Sequence, residues 1–521
     1  MADRKWWTLT VVGLATFMLL LDITIVNVAL PAIQRSLKAS FSDLQWVVDA
    51  YALTLSILLL VSGSIADRIG RRMVFIGGLI VFSAASLVCG LALSPFMLSV
   101  SRAAQGVGGA MMFSTTLALI AQSFRGKDRA VAFGILGAVT GGAVAIGPLL
   151  GGILTQGLGW RSIFLVNVPV GILAVVMTLR NVAETKDPTP HGIDWVGAAL
   201  FSGALFLLVI GLIRGNADGW RSALILSLFI GSGVLLVGFV LYELRRESPL
   251  FELSLFRKPA FCGVSATAFL LSASMFAMFL YITLYLQNIL GFGPLKAGLT
   301  LLPITLLSFF VAPVAGRLSA KIPARYFLSV GMLLVSVGLL LMAHVRADSA
   351  WSVLLVGFIV GGVGIGMINP PLASAAIGVV GPEKSGMASG ISSTFRQVGI
   401  ATGIAGLGAI FQSRLEARIV AGLQGTALRA HAAQIASGFV QGGGLPTSTL
   451  SKATPQLKAL VGSIAKNAFS TGLNELFVIS SGLALVGAVI AALTIRQRDF
   501  VSARPQGAPG QEEPAPAAQP A

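Results

Sequence analysis

The hydrophobic pattern divides the chain into long apolar runs separated by short polar connections. Fourteen runs reach the length of about 20 mostly apolar residues that a helix needs to cross a membrane. They lie at about 7–30, 46–66, 73–93, 97–120, 131–154, 162–180, 195–213, 222–242, 261–286, 298–320, 326–345, 351–375, 387–411 and 473–495. The pattern therefore predicts an all-α polytopic membrane protein.

Three segments lack such a run. Residues 243–259 are a charged linker, and residues 502–521 are rich in Pro, Ala, Gln and Gly, which is typical of a disordered tail. Residues 412–472 are predicted to form a loop of two amphipathic helical stretches, which Gly442, Gly443, Gly444 and Pro446 separate.

Composition supports the membrane assignment and excludes other classes. Of the 521 residues, 55% are hydrophobic and 11% are charged, whereas a soluble domain carries about 25% charged residues. The net charge of +16 does not indicate nucleic-acid binding, because the basic residues lie in short runs between apolar stretches and form no single patch. The sequence shows no metal-ligand cluster, nucleophile elbow or phosphate loop, so we expect no enzyme, metal or cofactor.

The distribution of Lys and Arg predicts the orientation. With the N-terminus inside, the inner connections hold 21 of these residues and the short outer connections hold seven. Because positive residues accumulate on the cytoplasmic side, both termini of this inner-membrane protein are predicted to be cytoplasmic. The loop 412–472 is then predicted to be extracytoplasmic, where it could contact a periplasmic partner.

Charged residues inside the spans are the candidate site. At 1.5 Å per residue, Asp22 and Arg102 both lie about 8 Å, and Asp49 about 5 Å, below the outer face of the hydrocarbon core. Acids in a membrane are costly and usually face a cavity, so this layer could exchange ion-pair partners as a proton arrives. The alternatives are a structural ion pair or interfacial acid for Asp22, and contact with headgroups for Asp49.

Arg396 and the glycines of the fifth run each have a structural and a functional interpretation. Arg396 lies about 14 Å into the thirteenth run and needs an interhelical partner, which favours gating or packing over substrate contact. The fifth run is dense in glycine, which allows close helix packing and could make a pliant seam.

Short sequence motifs lie between and within the runs. The inner connection after the second run contains Gly63, Asp67, Arg68, Gly70, Arg71 and Arg72. Residues 21–31 read LDITIVNVALP, and residues 102–108 read RAAQGVG. The fifth run contains Gly147, Pro148, Gly151 and Gly152, with Ala143 four residues before Gly147. Other motifs are Trp160-Arg161 with NVPVG at 167–171, YLQ at 285–287, and FRQVG at 395–399.

Together these motifs resemble those of the major facilitator superfamily, and of its fourteen-helix drug:proton antiporters in particular. The inner connection resembles the family's gating loop, LDITIVNVALP its first-helix motif and RAAQGVG its fourth-helix motif. The glycines and proline of the fifth run resemble the family's antiporter motif, which usually has glycine at the position of Ala143.

The resemblance implies a fold and an activity. It implies two six-helix bundles, 1–190 and 260–495, with an inserted helix pair at 191–242, a linker at 243–259 and a tail at 496–521. It implies a proton-coupled antiporter that exports small amphipathic compounds, with protons, lipid and a small-molecule substrate as its partners. In that interpretation Asp67 controls conformational switching; the alternative is an ordinary basic inner loop. A dedicated exporter of one metabolite, a nutrient symporter, and a receptor with an inactive transport fold remain as alternatives.

Overall fold

Helices make up the fold. The computed structural model describes residues 2–124, 126–184, 194–246, 249, 251–319, 321–380, 385–424, 426, 428–436, 454–496 and 499–500. Within these ranges the chain forms helices and no strand. The predicted tail at 502–521 and the predicted Gly442–Pro446 break lie outside the described residues.

The predicted first bundle contains α1 (Ala2–Leu37), α2 (Phe41–Ile69), α3 (Arg71–Gly90), α4 (Pro95–Ser123), α5 (Gly126–Leu158), the short α6 (Ser162–Leu165) and α7 (Asn167–Asn181). Two helices follow, α8 (Trp195–Asp218) and α9 (Ala223–Glu243). The predicted second bundle contains α10 (Pro259–Leu271), which continues through wide turns at Ser272–Phe276 and Tyr285–Ile289 around α11 (Ala277–Leu284), then α12 (Pro294–Leu318), α13 (Ala324–Met342), α14 (Leu355–Gly378), α15 (Ser385–Leu423) and α16 (Pro455–Thr494).

The predicted spans coincide with these helices. In the described part of the chain, 13 helices are long and apolar enough to cross a membrane. Helix α2, with 29 residues, lies where the second span was predicted, so each of the fourteen predicted runs has its helix. The predicted fold class is therefore confirmed.

Small residues set the helix packing inside each bundle. A Cβ on Gly108 of α4 would lie 2.4 Å from the backbone nitrogen of Phe82 in α3. In the second half, a Cβ on Gly338 of α13 would lie 2.7 Å from the backbone nitrogen of Gly361 in α14. The equivalent helix pairs of the two halves therefore pack backbone to backbone, which larger side chains would prevent.

Helix α8 of the predicted inserted pair lies beside the contact between α2 and α15. Helix α8 packs against α2 and α15, and α9 packs against α8. Side chains along α9, such as Ile230 and Val234, are more than 60% exposed, as expected for a lipid-facing surface.

The last two helices are longer than the sequence pattern predicted. Helices α15 and α16 run without interruption from the predicted spans into the predicted loop 412–472. Buried Leu415 and Val461 belong to one apolar core, and both Arg414 and Arg418 form ion pairs with Glu475. These contacts stabilise helix beyond the apolar runs. The sequence pattern placed the helix ends too early, because hydropathy alone ends a helix where its apolar run ends.

Candidate functional site

A buried ion pair joins α1 to α4. Nη1 of Arg102 donates to Oδ2 of Asp22 over 2.5 Å, and the two side chains are 1% and 0% exposed. The two residues meet because α1 and α4 run in opposite directions, and the position of each residue along its helix brings it to the same layer. The structure thus brings together two of the three charges that the sequence placed there.

Neutral side chains complete the surroundings of the carboxylate. Oδ1 of Asp22 accepts from Nε2 of Gln105 at 2.9 Å and from Nδ2 of Asn167 at 3.2 Å. Both amides also donate to the hydroxyl of Ser86, at 3.2 and 3.0 Å. Three helices besides α1 therefore supply the site, so a change in the charge of Asp22 affects α3, α4 and α7 together.

Arg102 is also held by α2. Its Nε donates to the carbonyl of Val47 at 3.0 Å, and its guanidinium lies 4.3 Å from the centre of the Tyr51 ring. Val47 and Tyr51 are four residues apart and share one face of α2. Arginine suits this position because its planar group can donate to several partners and stack on an aromatic ring at once.

Asp49 is not part of this network. It is fully buried in α2, and neither carboxylate oxygen has a hydrogen-bond partner among the described residues. The expected layer of three interacting charges is thus a pair and a separate acid. Asp49 lies two residues from both Val47 and Tyr51, about 200° around the helix, and so points away from the face that holds Arg102.

On that other face of α2, polar groups connect the bundles. Nε2 of Gln45 and the hydroxyl of Tyr281 both donate to the carbonyl of Ile404 in α15, at 3.0 and 2.6 Å. Oε1 of Gln45 accepts from Nε2 of Gln412 at 3.3 Å. Gln45 is one helical turn before Asp49, so this group, which we name the Gln45 cluster (Gln45, Tyr281, Ile404 and Gln412), adjoins the second acid. Tyr281 is fully buried in this contact.

The gating loop includes an acid that the sequence did not indicate. The carboxylate of Glu184, three residues after α7, accepts from the backbone nitrogens of Arg72 and Met73 at 3.0 and 3.1 Å. It therefore caps the start of α3, where the helix dipole favours a negative charge. Gly70 has φ +127°, and a Cβ there would lie 2.6 Å from the Glu184 carboxylate, so this turn needs glycine for two reasons.

The other residues of this loop differ in their surroundings. Arg72 donates to the carbonyl of Leu179 at 2.7 Å, Arg71 donates to Gln122 at 3.3 Å, and Arg68 is exposed. Asp67 belongs to α2, but its side chain lies outside the part of the chain that the structure describes. Close helix approach does not explain Gly63, since an added Cβ would make ordinary contact with Ser114 at 3.9 Å.

The glycines of the antiporter motif lie at two helix contacts. A Cβ on Gly147 would come within 1.8 Å of Oγ1 of Thr24, and one on Gly151 within 2.9 Å of the carbonyl of Ile25, both in α1. A Cβ on Gly152 would meet Leu295 of α12 at 2.7 Å, and one on Gly298 of α12 would meet the carbonyl of Pro148 at 2.3 Å. The motif therefore packs α5 against its own bundle and against the other one.

Arg396 lies in α15 and is half-buried. It makes no ion pair with any described residue, so the interhelical partner predicted for it is not an acid in those parts of the chain.

The amides of Gln105, Asn167 and Gln45 and the carboxylate of Glu184 are the residues that sequence reasoning missed. Gln105 had one usable signal, because it lies three residues after Arg102 and thus on the same face of α4. Asn167 lies in the NVPVG motif at 167–171, but that motif did not indicate a partner for its side chain. Gln45 and Glu184 had no such signal.

Comparison with known proteins agrees with this architecture. The family model described as Major Facilitator Superfamily matches residues 12–404. The chain belongs to the major facilitator superfamily. A solved superfamily member, a bacterial homologue of the human lysosomal transporter Spinster in an inward-facing, unoccupied conformation, has the same fold with a TM-score of 0.65 at 18% identity, covering 97% of this chain and 100% of its own.

Several curated superfamily relatives are named for resistance or export. The tetracenomycin C resistance and export protein of Streptomyces glaucescens is 33% identical over 497 residues, 94% of this chain and 92% of its own. The multidrug resistance protein Stp of Mycobacterium tuberculosis is 36% identical over 79% of this chain and 77% of its own, and the methylenomycin A resistance protein of Streptomyces coelicolor is 34% identical over 78% and 85%. This agrees with the fourteen-helix drug:proton antiporters that the motifs resemble.

Proposed function

We propose that the chain is a secondary antiporter in the cell membrane that exports small amphipathic compounds in exchange for protons. The observation that carries the proposal is the Asp22–Arg102 pair, which places an ionisable acid in a fully buried network among four helices. The names of the relatives support export of drugs and antibiotics.

The geometry provides a way to couple protonation to movement. When Asp22 is ionised, it holds Arg102 and accepts from Gln105 and Asn167. Protonation removes the countercharge of Arg102, whose remaining described partners include the Val47 carbonyl and the Tyr51 ring on α2. Protonation of Asp22 therefore weakens the contact of Arg102 in α4 with α1 relative to its contacts with α2. A proton that moves inward through 100 mV releases about 2.3 kcal/mol, which can drive uphill export.

The loop and seam would serve the same cycle. Asp67, Arg68, Arg71 and Arg72 would control switching at the inner face, with Glu184 as the acid that fixes the start of α3. The antiporter motif would form the seam along which α5 and α12 shift, and Arg396 would act in gating or packing within the second bundle.

The test is exchange in everted vesicles. Addition of an exported compound should collapse a preformed pH gradient with the wild-type chain and leave it unchanged with Asp22→Asn at equal expression, whereas Asp22→Glu should keep partial exchange. If Asp22→Asn still exchanges protons for substrate, the coupling site lies elsewhere, with Asp49 as the next candidate.

A second candidate is export of one dedicated metabolite by the same mechanism. Two relatives are named for single compounds, tetracenomycin C and methylenomycin A. A panel of polycyclic aromatic antibiotics and unrelated cationic dyes distinguishes a multidrug exporter from a dedicated one. If compounds of one structural class alone collapse the pH gradient, the chain is a dedicated exporter.

The proposed orientation has both termini in the cytoplasm. Reporter fusions at residues 160, 218, 348 and 440 should all report the outside. A cytoplasmic signal at Asp218 would contradict the inserted pair as two spans.

A further inference from the structure

The second bundle repeats the gating loop of the first in altered form. Gly316 and Arg325 have the same separation as Gly63 and Arg72. Helix α13 begins immediately after Pro323, as α3 begins immediately after Gly70. The two loops are thus in register, and Arg325 stands where the first half has Arg72.

The acid that completes the first loop has no charged counterpart at the same offset. Glu184 is three residues past the end of α7, and the residue three past the end of α16 is Gln497, an uncharged amide. Within the described part of the chain, no side chain caps the start of α13. Ala320 is the sequence counterpart of Asp67, so the second loop also lacks that acid.

A cavity occupies this place in the second half. It has a volume of about 250 Å³, and its lining includes Ser319, Lys321, Arg325, Ser374, Ile495 and Phe500. Ile495 is the buried residue that follows α16, as the buried Val182 follows α7. The segment after the sixth spanning helix thus approaches the third helix in both halves, and none of the described residues that line the cavity in the second half is an acid.

The cavity is basic. Neither Lys321 nor Arg325 forms an ion pair with any described residue, and the recorded contacts of Arg325 are with the neighbouring Tyr326, whose hydroxyl lies 3.1 Å from its Nη2. The acid nearest in sequence to Phe500 is Asp499, which does not line the cavity.

We propose that this cavity binds a phosphate group, carried by an anionic phospholipid of the inner leaflet. A phosphate would take the place that the Glu184 carboxylate has in the first half, because arginine, lysine and a helix start all favour phosphate oxygens. The cavity lies at the predicted inner face, where basic pockets between helices bind anionic headgroups. A bound headgroup would join the inner ends of α12, α13 and α14 to the segment after α16.

The test uses the purified full-length chain in non-ionic detergent, with thermal stability and native mass spectrometry as readouts. Short-chain phosphatidylglycerol should bind and stabilise the wild type, and phosphatidylcholine should do neither. Lys321→Gln/Arg325→Gln should weaken phosphatidylglycerol binding by roughly 30-fold, which corresponds to about 2 kcal/mol for two basic residues at about 1 kcal/mol each.

Two further variants keep the test specific. Arg317→Gln removes an exposed charge from the last turn of α12, outside the residues that line the cavity, and should change binding little. Ser374→Glu places a carboxylate in the cavity, and should abolish lipid stabilisation while leaving the protein folded.

The outcomes separate the sources of phosphate. If inorganic phosphate alone protects the wild type but not the double variant, the site holds and its ligand is a free phosphate. Equal phosphatidylglycerol binding by the wild type and the double variant, or an equal loss in Arg317→Gln, would overturn the proposal.

Discussion

Removal of the acid from the buried pair should destabilise the protein as well as uncouple it. Asp22→Asn leaves the guanidinium of Arg102 fully buried without its countercharge, although the Val47 carbonyl and Tyr51 ring remain. Loss of one partner of a buried pair costs about 3–5 kcal/mol, mostly because the other charge stays buried. The double variant Asp22→Asn/Arg102→Gln removes both charges and should recover most of that loss.

An exposed ion pair in the same bundle gives a matched control. Lys5 and Asp128 pair at 2.6 Å with side chains 29% and 51% exposed. Because such surface pairs contribute about 0–1 kcal/mol, Asp128→Asn should leave thermal stability in detergent nearly unchanged. The expected order of stability is wild type and Asp128→Asn, then the double variant, then Asp22→Asn.

Transport by the double variant then separates packing from coupling. It should fold and reach the membrane, and yet fail to exchange protons for substrate in vesicles. The reasoning is refuted if Asp22→Asn is as stable as the wild type, or if the double variant is less stable than Asp22→Asn. Proton exchange by the double variant would refute the coupling role while leaving the structural one.

Three other predictions concern the bundle contact, the loop and the tail. Gly408→Ala would put a Cβ 1.9 Å from Nε2 of Gln45 and should break hydrogen bonds between the bundles. The conformation that is open at the Gln45 cluster should then gain about 1–3 kcal/mol relative to the closed one, which cysteine accessibility measures. Gly406→Ala is the control, because an added Cβ there meets open space. Glu184→Gln should slow turnover without weakening substrate affinity in vesicle transport assays, because it loosens the start of α3 and touches no predicted substrate contact. Deletion of 502–521 should leave expression and transport unchanged, since these residues have no apolar face, and lost activity in a well-expressed truncation would contradict this.

The sequence predicted the helices well because long apolar runs have few alternatives in a membrane. It also predicted that Asp22 and Arg102 share a layer, since the rise per residue converts position along a helix into depth. Depth does not determine direction around the axis, however. Asp49 was therefore grouped with the pair, although it faces away from Arg102. Glu184 could not be predicted, because its role depends on where the segment after α7 crosses α3.

Helix α2 has two functional faces, and this connects the pair to the bundle contact. Val47 and Tyr51 hold Arg102 of the first bundle, whereas Gln45 of the Gln45 cluster bonds to the second. Any displacement of α2 that follows a change at Arg102 therefore acts on the bonds to Ile404 as well. Asp49 lies one turn from Gln45 and is buried without a described partner, so movement there changes the surroundings of a second acid. If the two faces are coupled in this way, Gly408→Ala should alter the pH dependence of exchange although it lies in α15, and Gly406→Ala should not.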